Sequence, residues 1–445
     1  MEAKTNRPSP TTVQSRCKWT SDPFSPPVKW IADPDKAILE KLARRELKVS
    51  DDTLVQIEFL GEGVFNKVYT IYHGDKSDMV MRVSAPVLPG FKTLSEQATI
   101  SYVRQCTDHP IPKTLAYDAS SENELGFEWT IMERVPGTGM DMMKWIRMTW
   151  MQKELLVRKI VLYTVQMFQT RFRHIGSLYH PDGLHRLNTK QDLDTKTVSG
   201  PNGMNDQEYC LSNIVSSNFF RNDRLKQDVP RGPFDNSHDW IKALLDLEWT
   251  ETQEILTRTF EYEDDLEYFQ DRAAIIERLL KLLPKIFIKD EDEEFTLFHS
   301  DLSFSNVVIS EKNELVGIID WECIQTAPLW MACDTPKFLE NSDQTDYPRD
   351  EALQQDFDLD DDQIDLDALM AYEQYQLRQF FYAEMNRLCP EWVQEHEKGV
   401  KKRDFILAIM FIESHRRFIQ RWLDQIESGP KPVSLRDDMF QNPFF

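Results

Sequence analysis

The sequence predicts an α+β chain of two lobes, the first small and β-rich, the second larger and mainly helical. Three observations carry this reading. The chain has 445 residues, more than one hydrophobic core ordinarily serves, so two bodies are expected. Between residues 54 and 83 three short runs rich in β-branched and aromatic residues are parted by glycine or polar turns, the pattern of adjacent strands. From residue 155 onward several segments space their apolar residues for helices with one buried face.

Residues 1–34 are rich in Pro, Ser and Thr, and Pro8, Pro10, Pro23, Pro26 and Pro27 break any helix, so this stretch is expected to be disordered or loosely draped. Lys4, Arg7, Arg16 and Lys18 tint it basic, but Glu2 and the prolines spoil an amphipathic transit helix. A cytoplasmic location follows, with a mitochondrial address as the minor alternative. A helix is predicted over 35–47, capped by Asp35 and carrying Ile38, Leu39, Leu42 and Leu47.

The strands come next. Runs at 55–60, 66–72 and 79–83 predict strand, glycine turn, strand, turn and strand. Gly61 and Gly63 allow a backbone to fold closely over a phosphate. Asn66, the non-glycine residue type that best tolerates positive φ, stands where a kinase would have its third glycine. Taken alone, such a loop is more often an ordinary hairpin turn. Arg82 in the third strand stands where a kinase places a phosphate-contacting lysine, keeping the charge and adding a planar fork. A helix over 94–105 sets Glu96 in line with Ile100 and Val103, an inward carboxylate for which Arg82 is the available cation. The plainer alternative turns Glu96 to solvent in the first turn. Residues 127–137, including Met132 and Glu133, read as a strand leaving the small lobe and breaking at Pro136-Gly137, where backbone groups would meet an adenine edge.

Helices are predicted over 155–172, 240–256, 266–287 and 403–426, the last burying Phe405, Ala408, Ile409, Ile412, Ile419 and Leu423. The span 185–233, rich in Asn, Asp, Gly and Thr, reads as a large irregular insertion of the kind that shapes substrate choice. Residues 328–330 open another loop. The acidic run 356–367 lacks the glycine and terminal glutamate of a calcium loop and reads as an acidic linker.

Six cysteines without a C-x-x-C pair point to a reducing compartment and away from a zinc site. No apolar run is long enough to span a bilayer. A formal charge of -23 opposes binding to nucleic acid or anionic lipid. It favours a solvated acidic surface, or secondarily the attraction of a cationic substrate.

The chemistry concentrates in 295–322, FTLFHSDLSFSNVVISEKNELVGIIDWE. Apolar runs at 307–309 and 315–319 flank the polar turn Ser310-Glu311-Lys312-Asn313 and predict a hairpin. Asp301, Asn306 and Asp320 at the mouths of these strands would converge on one small volume. Oxygen groups gathered there call for a compensating cation, and Mg²⁺ suits carboxylate and amide oxygens. His299-x-Asp301-x-x-x-x-Asn306 followed by an Asp at a strand end is the arrangement that protein kinases carry. Turn-capping by Asp and Asn is the bland reading of each residue singly.

With Ile318-Ile-Asp320-Trp-Glu322, this motif resembles the aminoglycoside phosphotransferase family of the protein-kinase-like superfamily. Gly61-x-Gly63-x-x-Asn66-x-Val68-Tyr69 and Met132-Glu133 fit its small lobe and hinge. Ile175-Gly-Ser-Leu-Tyr179, Arg231-Gly-Pro233 and Pro328-Leu-Trp330 are similar to its fungal branch. The resemblance, which covers 54–426, implies a bilobal protein-kinase-like fold. An extension would occupy 1–50, a nucleotide-binding N-lobe 51–137, and a C-lobe 138–445 with the catalytic loop at 299–306. It further implies ATP as phosphoryl donor, handled by Gly61, Gly63, Asn66, Arg82, Glu96, Met132 and Glu133. Mg²⁺ would be held by Asn306 and Asp320, Asp301 would be the catalytic base or orienter, and His299 would brace the loop. The partner implied is a small polar molecule with an acceptor hydroxyl. Arg82 departs from the superfamily's usual lysine, and Ser300 from the family's commoner glycine. Two alternatives stay open: a nucleotide-binding pseudokinase or scaffold, which Arg82 keeps alive, and a protein kinase, against which the absence of a D-F-G to A-P-E segment speaks.

Overall fold

The structure is a computed structural model that describes all residues except 1–15, 21–26, 75, 188–192, 199–207, 290–291, 342, 349–361, 430–432 and 442–445. Its first elements correct an expectation. Strands β1 (Cys17–Trp19) and β2 (Val28–Trp30) pair antiparallel within the proline-rich leader. Trp30 anchors the ribbon on Phe127 at 5.5 Å between ring centroids, and Trp19 rests against Phe65 at 6.3 Å. Three-residue strands leave too little alternation to detect. The rest of that leader, 1–15 and 21–26, lies outside the described residues.

Asp35 caps α1 (Lys36–Glu46) as predicted, accepting from the amides of Ala37 at 2.8 Å and Ile38 at 3.2 Å. Leu39, Leu42 and Ala43 pack this helix into the core of a five-stranded antiparallel sheet. That sheet contains β3 (Val55–Glu62), β4 (Asn66–His73), β5 (Lys76–Ser84), β6 (Thr114–Asp118) and β7 (Glu128–Glu133), in the order β3-β4-β5-β7-β6. Helix α2 (Phe91–Cys106) follows β5 and carries buried polar residues among its apolar ones.

From β7 the chain crosses through Val135-Pro136-Gly137 to the short β8 (Thr138–Gly139), then α3 (Met142–Arg147) and α4 (Trp150–Gln169). A reciprocal capping box of Thr149 and Gln152 starts α4. The span 185–233, expected to be irregular, contains ordered strands. Beyond β9 (Ser177–Tyr179) and α5 (Pro181–Arg186), β10 (Lys196–Val198) and β11 (Tyr209–Ser212) form a three-stranded antiparallel sheet in the order β10-β11-β9. α6 (Ser217–Phe220), α7 (Ser237–Leu256) and α8 (Glu263–Ile286) follow.

The predicted hairpin is present as β13 (Val307–Ile309) and β14 (Leu315–Ile318), with Val307 opposite Ile318 and Asn313 at φ 62° in its turn. β8 adds to it as a third strand, Val308 opposite Gly139. This approach needs glycine. A Cβ on Gly137 would lie 2.4 Å from the Ile309 carbonyl oxygen, and one on Gly139 2.9 Å from that of Ser305. The strand β12 (Phe295–Phe298) before the motif pairs with β15 (Gln325–Pro328), which leads into α9 (Leu329–Ala332) where a loop was expected. Pro328 closes a strand end, where its missing N–H costs no ladder bond.

The C-lobe finishes with α10 (Asp362–Leu388), α11 (Pro390–Met410), α12 (Arg416–Ser428) and α13 (Leu435–Gln441). The acidic run therefore ends as the start of a helix rather than as linker, while 356–361 lies outside the described residues. The predicted helix 403–426 is two helices. The Tyr268 hydroxyl donates to the Glu413 carbonyl at 3.1 Å, and Arg416 donates to the Tyr268 carbonyl at 3.1 Å. The first bond satisfies a backbone carbonyl where the chain turns, and the second ties the start of α12 to α8. All six residues predicted for its apolar face are buried. Among the described residues no helix is long and apolar enough to cross a membrane.

Candidate active site

The loop between β12 and β13 brings the motif residues together. Asn306 is buried, and its Nδ2 donates both to the Asp301 carbonyl oxygen at 2.8 Å and to Asp301 Oδ2 at 2.9 Å. Its Oδ1 has no hydrogen-bond partner among the described residues. Asp301 is half-exposed, and its Oδ1 accepts from Lys337 Nζ at 3.0 Å. His299 is buried, edge-on to Trp321 at 4.9 Å between ring centroids. Burial pulls its pKa down to about 4, so the ring is neutral. Nε2 then donates to the Ile319 carbonyl at 3.1 Å, and Nδ1 accepts from the Asp301 amide at 3.3 Å. Those contacts fit a brace.

Asp320 follows β14 with φ 65°, and Cys323 with φ 57°, a tight double turn that carries the chain toward β15. Aspartate is among the residue types that tolerate the left-handed region. The Ile319 amide donates to the Asn306 carbonyl at 3.0 Å, which seats Asp320 beside the Asn306 loop.

Behind Asp320 lies a cluster of buried charge. Arg82, on β5, donates from Nη2 to Glu96 Oε2 at 2.6 Å and to Glu322 Oε2 at 3.2 Å. Glu96 is therefore turned inward, as the helix register predicted. The other amino group of Arg82, Nη1, has one carboxylate near it, Asp320 Oδ1 at 4.0 Å. Burial opposes the charge on Arg82, but Glu96, Glu322 and Asp320 outweigh it and raise its pKa. Glu322 Oε2 accepts further from Lys92 Nζ at 2.5 Å and from Asn66 Nδ2 at 2.7 Å. Burial opposes ionisation of Glu322 too, yet Lys92 and Arg82 prevail and hold it at about 2. Asp320 moves the other way: burial first, and the Glu322 charge second, push it up to about 7.

The glycine loop joins this cluster through Asn66. Its φ is not positive, so it does not substitute for a glycine. Its side chain points inward instead, Oδ1 accepting from Ser84 Oγ at 2.8 Å and Lys92 Nζ at 3.2 Å. Around Gly61 and Gly63 an added Cβ would meet no atom within 4 Å, which leaves open space at the loop. Met132 is buried in β7. The Glu133 amide donates to the Lys113 carbonyl at 2.9 Å, and its carboxylate accepts from the Lys113 amide at 3.2 Å. Both of those Glu133 groups are thus engaged at the sheet edge.

The donors present fit magnesium rather than zinc. Asn306 offers a free amide oxygen and Asp320 a partly exposed carboxylate, hard ligands of the kind that leave remaining positions to water and phosphate oxygens. Among the described residues no cluster of three or more His, Cys, Asp or Glu could hold a metal ion, and all six cysteines are free thiols.

The sequence reading missed Lys92 and Lys337. Lys92 was findable: it lies four residues before Glu96 on the same helical face, so an inward Glu96 implies an inward Lys92. Lysine is seldom buried unless paired, which hid it. Lys337 sits in a short 3₁₀ turn with no motif around it.

A five-stranded sheet with one buried helix, a linker strand stitched to a catalytic-type hairpin and a helical second lobe together make a bilobal kinase-like phosphotransferase fold. The resemblance read from the motifs has a counterpart here: residues 226–360 match the model of the Phosphotransferase enzyme family. Two subtelomeric hrmA-associated cluster proteins of Aspergillus fumigatus strains are each 25% identical, over 348 and 351 residues and 70% of this chain. The chain spans 66% of the length of each of these relatives, just under two thirds. Altered inheritance of mitochondria protein 9 of Yarrowia lipolytica is 20% identical over 87% of this chain and 68% of its own. Among solved structures, the streptomycin–ATP–APH(2'')-IIa ternary complex aligns over 90% of this chain and 98% of its own, with TM-score 0.43 and 12% identity. Plasmodium vivax ethanolamine kinase aligns over 90% and 85%, with TM-score 0.44 and 9% identity.

Proposed function

We propose that this chain is an ATP- and magnesium-dependent kinase that transfers the γ-phosphoryl group to a hydroxyl of a small polar molecule. One observation carries the proposal. Asn306 fixes Asp301 through two hydrogen bonds from Nδ2 and keeps its Oδ1 free, so one side chain ties the candidate base to the candidate metal position. In this reading Asp301 accepts the proton of the acceptor hydroxyl. The hydroxyl oxygen bonds to the γ-phosphorus as the bond to the bridging oxygen breaks, giving a phosphate ester and ADP. Arg82 presents Nη1 to the phosphates while Glu96 and Glu322 hold its other end, so the cation is positioned before substrate arrives. Gly61 and Gly63 give the phosphates close backbone approach. Asn306 and Asp320 would hold Mg²⁺, which neutralises charge on the transferring group.

The test begins with nucleotide binding, which is independent of the acceptor. Mg-ATP raises the thermal midpoint of the wild type, Asp320→Ala removes the shift, and EDTA reduces it. No shift in the wild type would sink the proposal. ADP release across a panel of hydroxyl metabolites and antibiotics then identifies the acceptor. The names of relatives from Yarrowia lipolytica and Saccharomyces cerevisiae refer to mitochondria. Imaging of the tagged chain decides between that location and the cytoplasm.

A further inference from the structure

We infer that the acceptor is an amphiphilic alcohol, its hydroxyl presented to Asp301 and its apolar body held in a cavity of the C-lobe. This inference rests on the kinase reading and narrows its substrate class. The cavity, of about 560 Å³, is bounded by residues of α4, β12, α9, α11 and α13, and at one end by the catalytic loop itself. Its volume falls among those of small-molecule sites. Protein interiors otherwise contain few voids larger than a water molecule.

Two residues connect it to the chemistry. Ser300 lines it and precedes Asp301 directly, and Lys337 lines it while standing 3.0 Å from Asp301 Oδ1. A molecule seated there therefore lies against residues that flank or touch the candidate base. Much of its remaining lining is apolar, with Met167, Phe168, Met331 and Leu407 among it. Methionine side chains adapt to varied apolar shapes.

Arginines and a carboxylate elsewhere in the lining are already matched to protein. Arg436 donates to both Asp334 oxygens, at 2.7 and 2.6 Å, and Arg403 donates to the carbonyls of Trp330 and His396, each at 2.6 Å. A polar ligand finds little unpaired charge to recognise there, whereas hydrocarbon gains from burial. The formal charge of -23 disfavours an anionic head group, so the polar end of the acceptor is neutral or cationic.

The experiment uses the full chain with alkyl glucosides from methyl to decyl, each below its micelle concentration. Binding is followed by titration calorimetry, and ADP release is followed with Mg-ATP. Affinity is expected to rise about threefold to fourfold for each CH₂ added. Leu407→Trp and Met331→Trp, which fill the cavity, are expected to flatten that dependence while retaining the Mg-ATP thermal shift, which also reports that they fold. Affinity independent of chain length overturns the inference, as does undiminished binding in both filled variants. A retained Mg-ATP shift in any of these cases leaves the kinase reading standing. Loss of that shift in the wild type overturns both.

Discussion

Lys92 and Glu322 meet at 2.5 Å, joining helix α2 to the end of the candidate metal segment in the C-lobe. Asn66 and Arg82 donate to the same carboxylate oxygen. Glu322 is thus the point where glycine loop, strand, helix and the segment after the β13–β14 hairpin are held together.

Removing that carboxylate should be costly. Glu322→Ala leaves buried Lys92 without its closest counter-charge, and a loss of about 3–5 kcal/mol is expected in urea unfolding. Lys92→Met should cost less, because Glu322 keeps Arg82 and Asn66. In the double variant the two losses should fall short of their sum by about 1–3 kcal/mol. Simple additivity would show that the pair is not coupled.

Asp301→Asn separates chemistry from stability. Asp301 is half-exposed and its ion pair with Lys337 faces solvent, a kind of pair worth about 0–1 kcal/mol. The unfolding midpoint should barely move, while turnover should fall at least about a hundredfold through loss of the proton acceptor. Full turnover in Asp301→Asn would remove this residue from the reaction.

Glu128 should make stability fall as pH rises. It accepts from the Gly90 amide at 2.8 Å and Thr93 Oγ1 at 2.5 Å, but burial pushes its carboxyl up to about 7, with Lys92 and Asp118 the nearest charges. The folded chain therefore holds this proton above the ordinary glutamate value of about 4.3. Its stabilising contribution is complete below that value and is lost as pH climbs through about 7. Glu128→Gln is neutral throughout and should flatten the slope of the urea midpoint between those limits. Parallel profiles for the two proteins would refute the assignment.

Two glycines should respond oppositely to one added methyl group. Gly137→Ala forces a Cβ to within 2.4 Å of a backbone oxygen, an overpacking expected to cost about 1–3 kcal/mol. Gly61→Ala meets nothing within 4 Å and should leave stability within about 0.5 kcal/mol, while weakening nucleotide binding. Thermal midpoints with and without Mg-ATP report both effects.

Local rules made much of this legible. The Asp35 cap, the strands β3 to β5, the inward Glu96 and the β13–β14 hairpin all follow from side-chain period and turn chemistry acting over a few residues. What escaped depends on partners distant in sequence. The β1–β2 ribbon is fixed by Trp19 and Trp30 packing on other elements. The break after α11 is satisfied by Tyr268 on another helix, and β15 exists because Phe295 and its neighbours offer an edge. Lys337 reaches Asp301 across 36 positions. At Asn66 the residue was noticed for its backbone tolerance, whereas its amide group is what engages the cluster.

The pairing of β8 with β13 bears on how the two lobes can move. Gly139 lies opposite Val308, two residues from Asn306, so the segment connecting the lobes is also a strand beside the hairpin that carries the candidate site residues. A tilt of the N-lobe cannot be absorbed in a slack tether. It is geared directly to the position of Asn306, and cleft closure and alignment of the candidate base become a single mechanical event.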